Sequence, residues 1–227
     1  MRYSILSLFP KYFEGPFDVS MIKRAKEAKV IEIDLIDIRD FATDKHKTVD
    51  DRPYGGGPGM VLKPDPLVKA IRSVKNPDSL VVYLSPQGKK LDAALCKQLA
   101  MQTHVILVCG HYEGIDQRII DLEVDQEVCI GDYVLTSGAP AAIVFVDAVT
   151  RFLPGAIGDP ESVVKDSFEE GIFDTPHYTR PPEYEGLKVP EVLLSGHHLN
   201  VDLWRKEQAL KKTKDVRPDL LEVLSEG

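Results

Sequence analysis

Apolar residues along roughly the first 150 positions either alternate with charged ones or form short uninterrupted runs. Ile31, Ile33 and Leu35 alternate with charged neighbours, which predicts a strand over 30–38. Other strands are predicted at 3–9, 80–84, 104–109 and 124–130. Apolar residues at helical spacing predict helices at 19–28, 64–74, 91–101, 115–121 and 140–152. Strands that alternate with helices predict an α/β domain with a mainly parallel sheet.

The composition changes after this alternation ends. Residues 154–190 are rich in proline, glycine and acidic residues and show no sustained period, which is typical of a linker. Helices are predicted again at 199–212 and 218–224. We therefore predict an α/β domain over 1–157, an interdomain linker over 158–176 and a small helical domain over 177–227.

Charge and cysteine usage narrow the class of protein. The net charge of −8 argues against a protein that coats nucleic acid by bulk electrostatics, although residues 197–217 carry a local excess of three positive charges. Cys96, Cys109 and Cys129 are odd in number and lack the spacing of a zinc site, so a reducing, cytoplasmic location is expected. No signal peptide or membrane-spanning run is recognised.

Three consecutive predicted strands end in loops of unusual composition: SPQGKK at 85–90, GHYEGID at 110–116 and GDYVLTSGAP at 131–140. Loops at the carboxyl ends of parallel strands meet at one edge of a sheet, where ligands bind. Each single glycine is also explained by an ordinary turn. Neither GxGxxG after a strand nor GxxxxGK[ST] occurs, and the loops are poor in basic residues, so a pyrophosphate is not expected. S-adenosylmethionine, an adenosine derivative without phosphates, fits such loops.

Eight segments, taken together and in order, carry a resemblance to a known family. They are RPYGGGPGM (52–60), YLSPQGK (83–89), CGHYEGID (109–116), IGDYVLT (130–136), RFLPG (151–155), DSF (166–168), HYTRPPEYEGLKVPEVLLSGHH (177–198) and RPDLLE (217–222). The chain resembles the bacterial tRNA (guanine-N1)-methyltransferases, the TrmD family of the SPOUT class, over essentially its whole length.

The resemblance implies a SPOUT-type α/β fold with a deep trefoil knot and a homodimer whose active sites lie at the interface. It also implies S-adenosylmethionine as methyl donor, and the family is associated with Mg²⁺, for which no carboxylate cluster in the sequence is assigned. The cofactor-binding positions that it implies are Tyr83, Leu84, Ser85, Pro86, Gly110, Tyr112, Glu113, Ile130, Gly131, Tyr133, Leu135 and Asp174.

For catalysis, the resemblance implies that Asp166 is the general base and that Arg151 stabilises negative charge on the guanine O6. From the residues alone, Asp166 is equally explained as a helix N-cap and Arg151 as a solvated cation near a helix C-terminus. The implied acceptor is the guanine immediately 3′ of the tRNA anticodon. The implied RNA-binding positions are Asp50, Arg52 and Gly59 near that guanine and Arg205, Lys211, Lys212 and Lys214 as a phosphate clamp.

Four positions depart from the pattern of the family. Ser137 and Ala139 stand where glycine and glutamate are usual, His111 where arginine is common, and Val216 interrupts a basic pair. Three alternatives stay open: a non-catalytic knotted tRNA-binding protein, a SPOUT methyltransferase with another RNA acceptor, and a nucleotide-binding enzyme on an unknotted Rossmann sheet.

Overall fold

The computed structural model describes residues 1–157, 166–169 and 171–225. The chain divides into two compact units, Met1–Gly158 and Asp159–Gly227. In the described part of the first unit, seven strands occur: β1 (Arg2–Ser7), β2 (Glu32–Asp37), β3 (Asp50–Asp51), β4 (Val61–Leu62), β5 (Ser79–Lys90), β6 (His104–Cys109) and β7 (Gln126–Cys129). Its helices are α1 (Ser20–Glu27), α2 (Pro64–Val74), α3 (Ala93–Leu99), α4 (Gln117–Glu123) and α5 (Gly138–Thr150).

Five strands form one sheet in the order β2-β1-β6-β5-β7, and every pairing in it is parallel. The prediction of a mainly parallel α/β sheet is therefore confirmed. All six residues of β6, the central strand, are buried, as a strand covered on both faces requires. Successive residues such as Ile5 and Leu6 belong to opposite core clusters, because side chains alternate across a strand.

Several predicted boundaries differ from the observed ones by two residues or more, three of them for an identifiable reason. The segment 85–90 was predicted as a loop, but β5 continues to Lys90, which pairs with Cys129 after a register shift between Leu84 and Lys89. Helix α4 begins two residues later than predicted because the Asp116 side chain caps it, accepting from the Arg118 amide at 3.0 Å. Helix α5 begins two residues earlier because Ser137 caps it through the Ala139 amide at 3.3 Å.

The second unit, described by itself, contains α6 (Glu191–Leu194), α7 (His198–Val216) and α8 (Asp219–Ser225). It also contains an antiparallel hairpin of β8 (Glu183–Tyr184) and β9 (Leu187–Lys188), which the prediction of a wholly helical domain did not include. Within the described ranges, none of the helices has both the length and the apolarity needed to cross a membrane.

A buried histidine joins the amino ends of three strands of the sheet. His104 is 3% exposed, and its Nδ1 contacts Asn76 Nδ2 at 3.3 Å and Ser79 Oγ at 2.7 Å. Because the amide nitrogen can only donate, Nδ1 accepts and the proton lies on Nε2, which donates to Ser4 Oγ at 2.9 Å. Burial, helped by the nearby charge of Arg2, lowers the pKa of His104 below its ordinary value.

We expect this histidine to make folding stability depend on pH. Because the pKa of His104 is lower in the folded chain, the unfolded chain takes up a proton at a higher pH than the folded chain does. The contribution of neutral His104 to the free energy of unfolding is therefore fully present above the unfolded-state pKa, about 6.5, and is lost as the pH falls below it. In urea titrations between pH 7.5 and 5.5, wild type should lose more unfolding free energy than His104→Gln. Equal losses in the two proteins would contradict this assignment.

Candidate functional site

A pocket of about 220 Å³ lies at the carboxyl ends of β6 and β7 and beside the middle of β5. Three chain segments line it: the middle of β5, the turn after β6 and the segment between β7 and α5. With the exception of Asp174, every residue predicted to bind the cofactor lines this pocket: Tyr83, Leu84, Ser85, Pro86, Gly110, Tyr112, Glu113, Ile130, Gly131, Tyr133 and Leu135. None of the described residues that line it is a lysine or an arginine.

Close backbone contacts tie the last two segments together. The Gly138 amide donates to the Gly110 carbonyl at 2.8 Å, and His111 and Ser137 form an antiparallel bridge. A Cβ on Gly138 would lie 2.8 Å from Cys109 Cα, closer than real Cβ atoms come. The absence of a side chain at 138 is therefore what lets α5 start against the end of β6.

The pocket wall combines apolar side chains with fixed polar groups. Leu84 is buried and Ile130 half-buried, whereas burial raises the pKa of the Tyr83 phenol, which therefore keeps its proton. Cys129 Sγ donates to the Gly131 carbonyl at 2.9 Å, and it accepts from the Gly131 amide at 3.2 Å. These bonds hold the turn after β7 in one shape before any ligand arrives.

A second segment of chain is attached to the rim of the pocket. The Glu113 amide donates to the Met60 carbonyl at 3.0 Å, and the Leu62 amide donates to the Gly114 carbonyl at 3.0 Å. Leu62 pairs with Asp50 in the β3–β4 hairpin, and Gly59 lies where a Cβ would collide with the Glu113 side chain. The structure thus brings Gly59, one of the predicted RNA-binding positions, to the rim. Asp50 is linked to the rim only through its pairing with Leu62, and Arg52 follows β3 and is exposed.

Arg151 lies far from the pocket of its own chain. It caps the C-terminus of α5, next to Thr150, whose Oγ1 is 3.2 Å from the Tyr3 hydroxyl near the amino end of β1. The pocket contacts the other end of α5, at Ser137, Gly138 and Ala141. A helix of 13 residues is about 20 Å long, so Arg151 does not reach the pocket that its own helix begins in.

The remaining predicted positions belong to the second unit. Asp166 opens a turn closed by the Glu169 amide, which donates to its carbonyl at 3.2 Å; no helix occurs in the described residues 166–169, so the alternative of Asp166 as a helix N-cap is not supported there. Asp174 accepts from the Thr175 amide at 2.6 Å and bonds His177 Nε2 at 2.8 Å.

The predicted phosphate-clamp residues Arg205, Lys211, Lys212 and Lys214 are all exposed on α7. Arg205 is 3.4 Å from Asp202, an exposed pair of little energetic weight. Three exposed lysines therefore remain on the last two turns of this helix.

Several pocket residues were not named as cofactor-binding positions from the sequence, although the loop 131–140 was expected at this edge: Val128, Cys129, Val134, Thr136, Gly138 and Ala141. His111 and Ser137 were noted only as departures from the family pattern, yet they bridge each other inside the pocket. The position of Ser137 at the start of α5 could have been predicted, since a serine directly before an apolar helical run is a typical N-cap.

Comparison with known proteins identifies the family. The family model described as tRNA (Guanine-1)-methyltransferase TrmD matches residues 1–223. The chain belongs to this family. It is 60% identical to the tRNA (guanine-N(1)-)-methyltransferase of Protochlamydia amoebophila over 221 residues, which cover 97% of the chain and 100% of that protein. The protein of the same name from Dictyoglomus turgidum is 50% identical over 225 residues, covering 99% of the chain and 91% of that protein.

Membership of the tRNA (guanine-N1)-methyltransferase family does not by itself assign a metal site. Among the residues that the structure describes, no group of three or more histidine, cysteine, aspartate or glutamate side chains is placed to hold a metal ion.

We expect a methyl group at residue 138 to disrupt the pocket. Gly138→Ala places a Cβ against Cys109 and should weaken S-adenosylmethionine binding by about tenfold or more, because both walls must separate. Isothermal titration calorimetry measures the change. The control is Gly186→Ala in the β8–β9 hairpin, where a Cβ meets no atom and the strain of the positive φ of 83° arises at a residue that does not line the pocket. Equal affinities in the two variants would contradict this role of Gly138.

Proposed function

We propose that the protein transfers a methyl group from S-adenosylmethionine to N1 of the guanine immediately 3′ of the tRNA anticodon, tRNA position 37. The observation that carries this proposal is the family match, which spans residues 1–223 and so includes both structural units. Relatives at 50% and 60% identity bear the name of this activity. A tRNA substrate supports a cytoplasmic location for the enzyme.

The pocket suits S-adenosylmethionine by its chemistry. Its described lining has no lysine or arginine, which would be expected around a phosphate, and it contains the carboxylate of Glu113, which suits a ligand with a positive charge. Leu84, Ile130 and Leu135 supply apolar surface for an adenine ring. When bound, S-adenosylmethionine supplies an activated methyl group on a sulfonium centre.

The acceptor chemistry assigns roles to two side chains outside this pocket. Guanine N1 carries a proton at neutral pH, which a base must remove as the nitrogen attacks, and we assign this role to Asp166. Negative charge then develops on O6, and the Arg151 guanidinium stabilises it in the transition state more than in the ground state. Without such a cation, a carboxylate is too weak a base for N1.

The position of Arg151 supports a homodimer with shared active sites. Because Arg151 and the pocket lie at opposite ends of α5, an arginine that meets the acceptor guanine at this pocket must come from a second chain. A mainly apolar groove leaves Val144 46% exposed, as expected of a helix face covered by a partner. It is lined by Pro16, Phe17, Ile22, Ile143, Val144 and Ala148, together with Asp147.

We also propose that the chain of the first unit forms the trefoil knot of the family. The order β2-β1-β6-β5-β7 and the close passage of Gly138 against Cys109 and Gly110 support a chain that threads past itself before α5. For RNA, we assign Asp50, Arg52 and Gly59 to the target guanine and its neighbours. We assign Arg205, Lys211, Lys212 and Lys214 to phosphates, because exposed cations on one helix neutralise a backbone without reading sequence.

Methyl transfer from labelled S-adenosylmethionine to unmodified tRNA transcripts tests this function. We expect 1-methylguanosine from a transcript with guanine 3′ of the anticodon and no transfer when adenine replaces it. Tight binding of tRNA and cofactor without transfer would instead indicate a non-catalytic tRNA-binding protein. A different methylated nucleoside would indicate a SPOUT methyltransferase with another acceptor.

Asp166→Asn should reduce the rate of methyl transfer by at least about 100-fold, the usual contribution of a general base. The amide keeps the size of the side chain but cannot accept the N1 proton. Binding of S-adenosylmethionine should stay within about twofold of wild type. The matched control is Asp215→Asn, an exposed aspartate on α7, and equal rates in both variants would remove Asp166 from the mechanism.

Mixed dimers test whether Arg151 acts on the partner's pocket. The Arg151→Ala chain has an intact pocket, and the Gly138→Ala chain has an intact Arg151. A heterodimer of these two chains therefore contains one complete active site only if the pocket and the arginine of a site come from different chains. Random mixing makes half of the dimers heterodimers and should restore about a quarter of the wild-type rate. The assay uses a cofactor concentration below the weakened affinity of Gly138→Ala, and no recovery on mixing would contradict shared sites.

A further inference from the structure

A second cavity, of about 820 Å³, lies entirely within the second unit. One wall is the segment 175–182, and the opposite wall is formed by Val189, Leu193 and Leu194 with Val201 and Arg205 of α7. This volume falls in the range of small-molecule and cofactor sites. None of the residues assigned above to the cofactor pocket or to catalysis lines this cavity.

A buried polar atom beside this cavity has no hydrogen-bond partner among the described residues. Thr175 lines the cavity, and its Oγ1 is buried and unpaired there, although the Thr175 backbone is held by Asp174. Leaving a buried hydroxyl unpaired costs free energy, and such groups in folded proteins usually have a partner. Rotation of the Thr175 side chain towards the cavity would let a ligand with a hydrogen-bonding edge supply that partner.

The charge of the cavity indicates the class of ligand. None of the described residues that line it is acidic, although the whole chain has 36 acidic residues against 28 basic ones. Arg180 and Arg205 are both exposed at the cavity, and Arg180 forms no ion pair with a described residue. Arg205 is paired with Asp202 and His177 with Asp174, so Arg180 is the cation that this cavity offers to an anionic group of a ligand.

An aromatic ring stands at the same cavity. Tyr178 is 50% exposed, and its ring centroid is 6.3 Å from that of Trp204, so a half-covered ring is presented to the cavity. Unpaired bases of RNA stack on exposed aromatic rings and form hydrogen bonds through their edges. A cation next to the ring then meets the adjacent phosphate.

We propose that this cavity binds one unpaired nucleobase of the tRNA substrate, other than the guanine that is methylated. Tyr178 stacks on the base, the Thr175 hydroxyl bonds its edge, and Arg180 contacts its phosphate. This assignment rests on the proposed function, since it takes tRNA as the substrate. The cavity therefore adds a second point of base recognition to the phosphate contacts of α7.

The test combines substitutions in the protein with removal of single bases from the RNA. Full-length tRNA transcripts with one abasic site at each unpaired position of the anticodon loop are bound to wild type, Tyr178→Ala and the control Tyr184→Ala. Tyr184 is a more exposed tyrosine, 66% against 50%, in the β8–β9 hairpin outside the cavity. At one position, loss of the base should weaken wild-type binding by about tenfold, yet change binding to Tyr178→Ala less than twofold.

Two further variants separate ligand binding from folding. Thr175→Val replaces the unpaired hydroxyl by a methyl group, so it should weaken tRNA binding while leaving the urea midpoint equal to or above that of wild type. Arg180→Ala should weaken tRNA binding more than Lys188→Ala, a control cation on β9. Affinity for S-adenosylmethionine should stay unchanged in all of them.

The inference is overturned if every abasic site weakens binding to wild type and Tyr178→Ala by the same factor, or if Tyr178→Ala binds tRNA as tightly as Tyr184→Ala. Either result would show that the cavity does not bind a base of the tRNA. Methylation of the intact transcript by wild type is measured in parallel, so failure of this inference is distinguishable from failure of the proposed function.

Discussion

The hydrogen bond from the Gly138 amide to the Gly110 carbonyl, 2.8 Å long, forms where the chain leaves no room for a side chain. It joins the start of α5 to the end of the central strand. The neighbouring His111–Ser137 bridge and the N-cap of Ser137 extend this contact in both directions. The pocket depends on it, because two of the three segments that line the pocket meet there.

The direction of α5 has a consequence for catalysis. Its N-terminus contributes to a pocket without lysine or arginine among the described residues, and its C-terminus carries Arg151 about 20 Å away. The Arg151 charge is therefore kept away from the pocket of its own chain. The proposed homodimer reconciles this separation with the role proposed for Arg151 at the guanine O6, which requires the cation close to the acceptor.

The sequence alone was informative where local rules decide the structure. The buried runs of β5 and β6 and the spacing of α2 predicted elements at or within a few residues of the observed ones. The grouping of Leu84, Gly110 and Ile130 followed from the rule that parallel strands end at one edge, and from the family resemblance.

Other features depend on contacts between distant segments, which no local pattern records. Residues such as Lys89 and Lys90 read as a polar loop, and they become part of a strand only because they pair with Val128 and Cys129. The distance between Arg151 and the pocket follows from the direction of α5 relative to the sheet, and the cavity around Thr175 from the packing of the segment 175–182 on α7. Neither was predicted.

Hydrogen–deuterium exchange with and without S-adenosylmethionine tests most directly that the three strand-end segments form the cofactor pocket. The account predicts saturable protection in 85–90, 110–116 and 131–138, with the same midpoint in all three. Protection confined to other segments, or a saturating cofactor signal with unchanged exchange in these three, would contradict it.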